Sequence, residues 1–211
     1  MDTEYWSLWS QIFDSMMTID KDKMDDILSL FLFNLDRISL APSASLFASR
    51  EQEILNKSYH IRRLSICLLF SPMDFYLQKL PTIQSKLFEV LKGNDDLLHI
   101  EVYLCFRIIL VRISPPNLSH FWPVIVFDLT SIINNCITSE TTGIDSLSLL
   151  FNKLKLLDLL LVLGLEDFQY HQWLFISETT ELLNDTIDKP VALIDQLGIK
   201  WNVPKITVFV I

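Results

Sequence analysis

Four histidines, three cysteines and adjacent carboxylate pairs such as Asp25-Asp26 and Asp95-Asp96 are the side chains of this sequence that could hold a metal or attack a substrate. His60, His99, His120 and His171 fall on different segments, none at ligand spacing from another histidine, cysteine or carboxylate. Cys67, Cys105 and Cys136 lie far apart within apolar stretches and form no C-x-x-C pair. An odd, scattered set of this kind suits buried reduced thiols in a cytosolic protein, not a disulfide framework. Asp25-Asp26 and Asp95-Asp96 are neighbours in sequence, so on a helix they point about 100° apart and suit solvated ends better than an acid–base dyad. No G-x-S-x-G elbow, phosphate loop, kinase signature or zincin helix occurs. The expectation is a chain with no catalytic residue, no metal ligand set and no cofactor.

Other residues suggest binding. Arg62-Arg63, close to Lys57, is the densest basic spot and could meet a phosphoinositide headgroup or an acidic partner. Trp6 and Trp9 share a helical face and could anchor another subunit or pack in the core. Asp158 sits among Leu154, Leu157, Leu161 and Val162, so it is expected to be partly buried. A buried carboxylate needs a partner, and Lys155, Arg107 and Arg112 are the candidates for a structural ion pair. In the tail, Ile206, Val208 and Val210 alternate with Lys205, Thr207 and Phe209, a strand-like pattern that could pair with another chain.

Bulk composition narrows the frame. The sequence has 211 residues, half of them hydrophobic and 20% charged, which is ample for a core and unlike a disordered chain. Four glycines disfavour phosphate loops and tight hairpins. Mean hydropathy is +0.34. A membrane span needs about 20 apolar residues. The longest uncharged run, Ile113–Phe127, has fifteen residues and three prolines, so the chain is read as soluble. Met1 is followed by Asp2 and Glu4 with no basic n-region, so no signal peptide is expected. The formal charge of −9 divides into −5 over residues 1–37, +2 over 38–112 and −6 over 113–211. No segment has the basic excess of a nucleic-acid binder.

The elements that must position these residues are helical. The spacing of apolar residues predicts helices from about Thr3 to Thr18 and Lys23 to Ile38, with a loop at Ser39–Ser45. Ser49 and Gln52 have the form of a capping box for a helix from Arg50 to about Phe70. Pro72 suits a first helical position, and Pro81 opens a helix ending near Lys92 with Gly93 as its cap. Leu97–Ser114 is apolar almost all round, with His99, Tyr103 and Arg107 as one thin polar stripe, and is expected to be central. After His120-Phe121-Trp122-Pro123 a further helix is expected to about Ile137, then helices from Asp145 to Leu163 (stopped by Gly164), about Glu178 to Ile187 and Pro190 to Gly198, with a shorter aromatic segment at Phe168–Phe175. The fold class is therefore all-α, an irregular α-solenoid or bundle of stacked antiparallel helices. It is expected as one domain over residues 1–198, with an extended tail over 199–211.

Three stretches together resemble the Dopey family. They are Arg50-Glu51-Gln52-Glu53 running on to Arg62-Arg63-Leu64-Ser65; then Glu101-Val102-Tyr103-Leu104-Cys105-Phe106-Arg107 through Arg112-Ile113-Ser114-Pro115-Pro116 to Phe121-Trp122-Pro123; and Lys155-Leu156-Leu157-Asp158 through Phe168-Gln169 to Gln172-Trp173. Leu80-Pro81-Thr82-Ile83-Gln84 fits the same pattern, and the likeness covers residues 48–177. The resemblance implies a C-terminal piece of a much longer cytosolic scaffold, peripheral to Golgi and endosomal membranes. It implies protein partners too: a large Arf-exchange-factor-like protein (the Mon-two protein) and a phospholipid flippase. The leading expectation is a helical scaffold domain in endosome-to-Golgi traffic that binds that partner or a second copy of itself. The alternative is a membrane-surface module using Lys57, Arg62 and Arg63 on anionic lipid.

Overall fold

The computed structural model describes residues 7–9, 11–13, 15–16, 26, 29, 50–138, 144–176 and 192–200. Among these there are helices and turns and no strand, so the fold is all-α. Ser7–Trp9, Gln11–Phe13, Ser15, Met16, Asp26 and Ser29 are helical. Among the described residues seven further α-helices follow: α1 (Arg50–Phe70), α2 (Leu80–Leu91), α3 (Asp96–Arg112), α4 (Trp122–Thr138), α5 (Ile144–Leu163), α6 (Glu166–Gln172) and α7 (Leu193–Lys200). The residues fall into two compact units, Met1–Leu118 and Ser119–Ile211, where the sequence reading has a single domain over 1–198.

In the first unit α3 is the central helix, packed by α1 and α2. Leu98, Val102, Cys105, Phe106, Ile109 and Leu110 are all buried, as an apolar circumference requires. α1 turns Ile61, Leu64 and Leu68 to it, together with the small residues Ser58 and Ser65. Those hydroxyls are satisfied within the helix, Ser58 Oγ on the Leu55 carbonyl at 2.8 Å and Ser65 Oγ on that of Ile61 at 3.0 Å. They therefore shorten the approach of the helices without leaving a buried donor unpaired. Arg50 faces Asp95, Arg62 faces Glu101, and Ser65 meets Cys105. These pairs rise together in both helices, so α1 and α3 run in the same direction, as alternate members of an antiparallel succession do.

Pro72 does not begin a helix. The Phe75 N–H bonds its carbonyl in a turn, and a short 3-10 helix, Leu77–Lys79, leads into α2. The turn is held by Asp74, whose φ of 60° lies in the left-handed region. Its N–H donates to the Arg112 carbonyl at 3.0 Å, and its carboxylate accepts the Ser114 N–H at 2.8 Å. One residue thereby satisfies polar groups left open at the end of α3.

In the second unit α4 buries Trp122, Ile125, Leu129, Ile133 and Cys136 at helical spacing. Leu149, Leu150, Leu156, Leu157 and Leu160 of α5 are buried as well. Gly164 stops α5 at φ 57°, which glycine adopts without a Cβ penalty. Phe168 lies between Trp122, 6.2 Å between ring centroids, and Phe175, at 6.0 Å. α7 adds Leu197 to Cys136 and Leu150, and Lys200 donates to the Cys136 and Ile137 carbonyls at 2.7 and 3.0 Å, closing the C-terminal end of α4. α7 includes Ile199 and Lys200, which corrects the extended tail expected from residue 199 at those two positions; residues 201–211 lie outside the described residues.

By length and composition the stretch Ser119–Thr138 could cross a membrane. The sequence reading ends that run at Asp128, whereas one charge in twenty residues leaves the average high. In the fold this aspartate pairs with Lys153, and the helix's apolar stripe forms the core of the unit.

Candidate interaction surfaces

The basic spot expected on α1 is dispersed by the helix that carries it. From Lys57 to Arg62 the helix turns by about 140°, and from Arg62 to Arg63 by about 100°. The three cations therefore point in three directions. Lys57 is largely covered and lies 3.6 Å from Glu53, one turn away. Arg62 is engaged across to α3. Its Nε donates to Glu101 Oε2 at 3.1 Å, and its Nη2 donates to Oε1 of the same carboxylate. The bond to Glu101 and the charge of that carboxylate raise the Arg62 pKa. Glu101 is only 2% exposed, so this two-point grip supplies the pairing that a buried carboxylate requires. Arg63 is exposed and lies near His60.

The polar stripe of α3 is largely covered. Tyr103 is fully buried with its ring edge-on to Phe106, and Arg107 is half-buried. Arg107 Nε and Arg112 Nε meet no hydrogen-bond acceptor among the described residues. Burial holds the Arg107 pKa below its usual value.

Asp158 corrects a sequence expectation: it is exposed, not partly buried. The inward face of α5 runs through Leu149, Leu150, Lys153, Leu156, Leu157 and Leu160. The buried charge of the helix is therefore Lys153, 3% exposed, whose ammonium lies 2.9 Å from Asp128 Oδ2 on α4. Asp158 falls on the opposite face with Leu147, Phe151, Lys155 and Val162, all exposed. There the Lys155 ammonium sits 4.2 Å from the centre of the Phe151 ring. A helix apolar nearly all round does not announce which of its charges turns inward; only the neighbour's Asp128 decides it.

Trp9 is exposed, together with Leu8, Ile12 and Met16 on the same side of its helix, while Phe13 stacks on Phe70 at 4.8 Å. Trp6, Ser49, Ile206, Val208 and Val210 lie outside the described residues, so the Trp6 anchor, the capping box and the tail strand are not placed. The same holds for the helix expected over Glu178–Ile187.

Cys67, Cys105 and Cys136 are free and buried. Burial pushes Cys105 up to about 12 and Cys67 to about 11, and raises Cys136, so all three are neutral thiols. Among the described residues no three histidine, cysteine or carboxylate side chains converge as a metal set would.

What fold and surface define together is an all-α protein of two helical units, with the buried Glu101 and Lys153 paired and apolar side chains left on the outer faces of its helices. The chain belongs to the Dopey family: it matches the family described as DOP1 C-terminal over residues 2–205. It is similar to Protein dop1 of Emericella nidulans, 24% identical over 92% of this chain and 11% of that protein. The DOP1 homolog of Drosophila melanogaster is 30% identical over 59% of this chain and 5% of its own length. For Protein DOP1 of Saccharomyces cerevisiae the figures are 27%, 77% and 10%. The chain thus spans about a tenth or less of the curated relatives it matches. Their names designate no reaction. No solved structure matches the chain.

Proposed function

We propose that this chain is a non-enzymatic interaction domain of a Dopey-family scaffold. In this reading it is cytosolic, held at the surface of Golgi and endosomal membranes, and works in endosome-to-Golgi traffic. It acts by self-association and by binding a large Arf-exchange-factor-like partner, with a phospholipid flippase in the same assembly.

The observation that carries the binding role is the outward face of α5. Leu147, Phe151, Lys155, Asp158 and Val162 recur at spacings of four and three, the seam pattern of a helix that packs on another helix. Solvated faces do not usually keep a leucine, a phenylalanine and a valine in line, and Val162 is 76% exposed. The seam is also self-complementary. If two copies cross antiparallel about a two-fold axis between residues 156 and 157, Lys155 meets Asp158 of the other copy and Phe151 meets Val162. Apolar contacts then flank two ion pairs that fix the register.

Light scattering coupled to size exclusion tests this. A dimer is expected, converted to monomer by Phe151→Glu. A chain that is monomeric at every concentration, or a dimer indifferent to that change, defeats the self-association reading.

A further inference from the structure

The second unit holds a shallow cleft of about 650 Å3 between α4 and α6, lined by Trp122, Pro123, Phe127, Asp167, Tyr170 and His171 among others. Its walls are two aromatic rings left in solvent, Phe127 at 74% and Tyr170 at 77% exposure. Its base is Trp122, nearly buried, with the indole N–H donated to Asp167 Oδ2 at 3.0 Å. That bond fixes the ring and uses its one donor, so an occupant meets an apolar plane there. Glu166 and Asp167 stand exposed in the first turn of α6, and neither has an ion pair among the described residues.

The surrounding sequence is short of cations. From Ile113 to Asp188 there are ten acidic side chains and two basic ones, Lys153 and Lys155. Lys153 is buried against Asp128, and Lys155 rests on Phe151. Both cations are thus engaged with other groups, and neither lines the cleft. Exposed aromatic walls beside unpaired carboxylates are the complement of a guanidinium or ammonium carried next to an apolar side chain.

We propose that this cleft docks a cationic, apolar segment of a partner protein. An arginine or lysine lies against the Phe127 and Tyr170 rings with its charge toward Asp167 and Glu166, and the neighbouring apolar side chain covers Trp122. The site uses none of the α5 seam residues, so it stands or falls separately from self-association.

The test is fluorescence polarisation of the 211-residue chain with a short labelled peptide alternating arginine and leucine, beside its glutamate-for-arginine counterpart. Saturable binding of the arginine peptide alone is expected, weakened about tenfold by Phe127→Ala with Tyr170→Ala. Asp167→Asn with Glu166→Gln, which keeps an acceptor for Trp122, weakens it about threefold. All four side chains are exposed, and circular dichroism checks that each variant is folded. Equal binding of the two peptides overturns the proposal, as does binding that survives loss of both rings. So does a dimer that Phe127→Ala dissociates, since the cleft would then be covered by a second copy.

Discussion

Arg62 on α1 grips Glu101 on α3 at two points, Nε on Oε2 at 3.1 Å and Nη2 on Oε1. The residue that from sequence offers itself to a lipid headgroup is thus a tie between two helices running in the same direction. Its guanidinium is half in solvent, while the carboxylate it serves is buried. Removing the cation strands that carboxylate. Arg62→Ala is therefore expected to cost about 2 kcal/mol in urea unfolding, below the full value for a buried pair because Arg62 is half-exposed. Arg62→Ala combined with Glu101→Leu should recover most of the loss, since an apolar replacement needs no partner. If the double variant is as unstable as the single, the carboxylate is not what the arginine stabilises.

The pair in the second unit has the opposite asymmetry. Lys153 is the deeper partner and Asp128 the more exposed one. Asp128→Ala, which leaves an ammonium in the core, is expected to destabilise by about 3 kcal/mol, against about 1 kcal/mol for Lys153→Met. The reverse order, read by the same denaturation series, would place the desolvation cost on the wrong group.

Much of the fold is legible in the sequence because it is written locally. Arg50–Phe70 has the expected bounds, α3 begins and ends within two residues of the periodic run, and Gly164 stops α5 where glycine should. Relations between elements are not written that way. Arg62 and Glu101 are 39 residues apart, and nothing in either helix's periodicity names the other. On α5 the apolar residues encircle the helix, so the choice between Lys153 and Asp158 as the buried charge rests on Asp128 of a neighbouring helix. The α4–α6 cleft escapes sequence reading for a similar reason. Phe127 and Tyr170 look like core aromatics until the fold leaves both outside. Their one sequence signal is the run from Leu156 to Asp188, which has seven acidic residues and no lysine or arginine.

His60 gives the chain a pH dependence with a definite sign. Burial, then the charge of Arg63, holds its pKa below the ordinary 6.5. Between the lowered folded value and 6.5 the unfolded chain binds more protons, so stability rises with pH across that window. The contribution is complete above 6.5 and lost as the pH falls through the folded value. Thermal unfolding at pH 7.5 and 5.5 should therefore show a larger acid loss for the native chain than for His60→Gln. Equal losses would mean that other groups set the slope.

Self-association through α5 is the central claim, and a charge exchange on its seam tests it most directly by light scattering coupled to size exclusion. Lys155→Glu and Asp158→Lys, each alone, place like charges across the two-fold axis and should give monomers. The two together restore opposite charges and should return the dimer. A chain that is monomeric before any substitution, or whose mass ignores all three variants, would contradict the account.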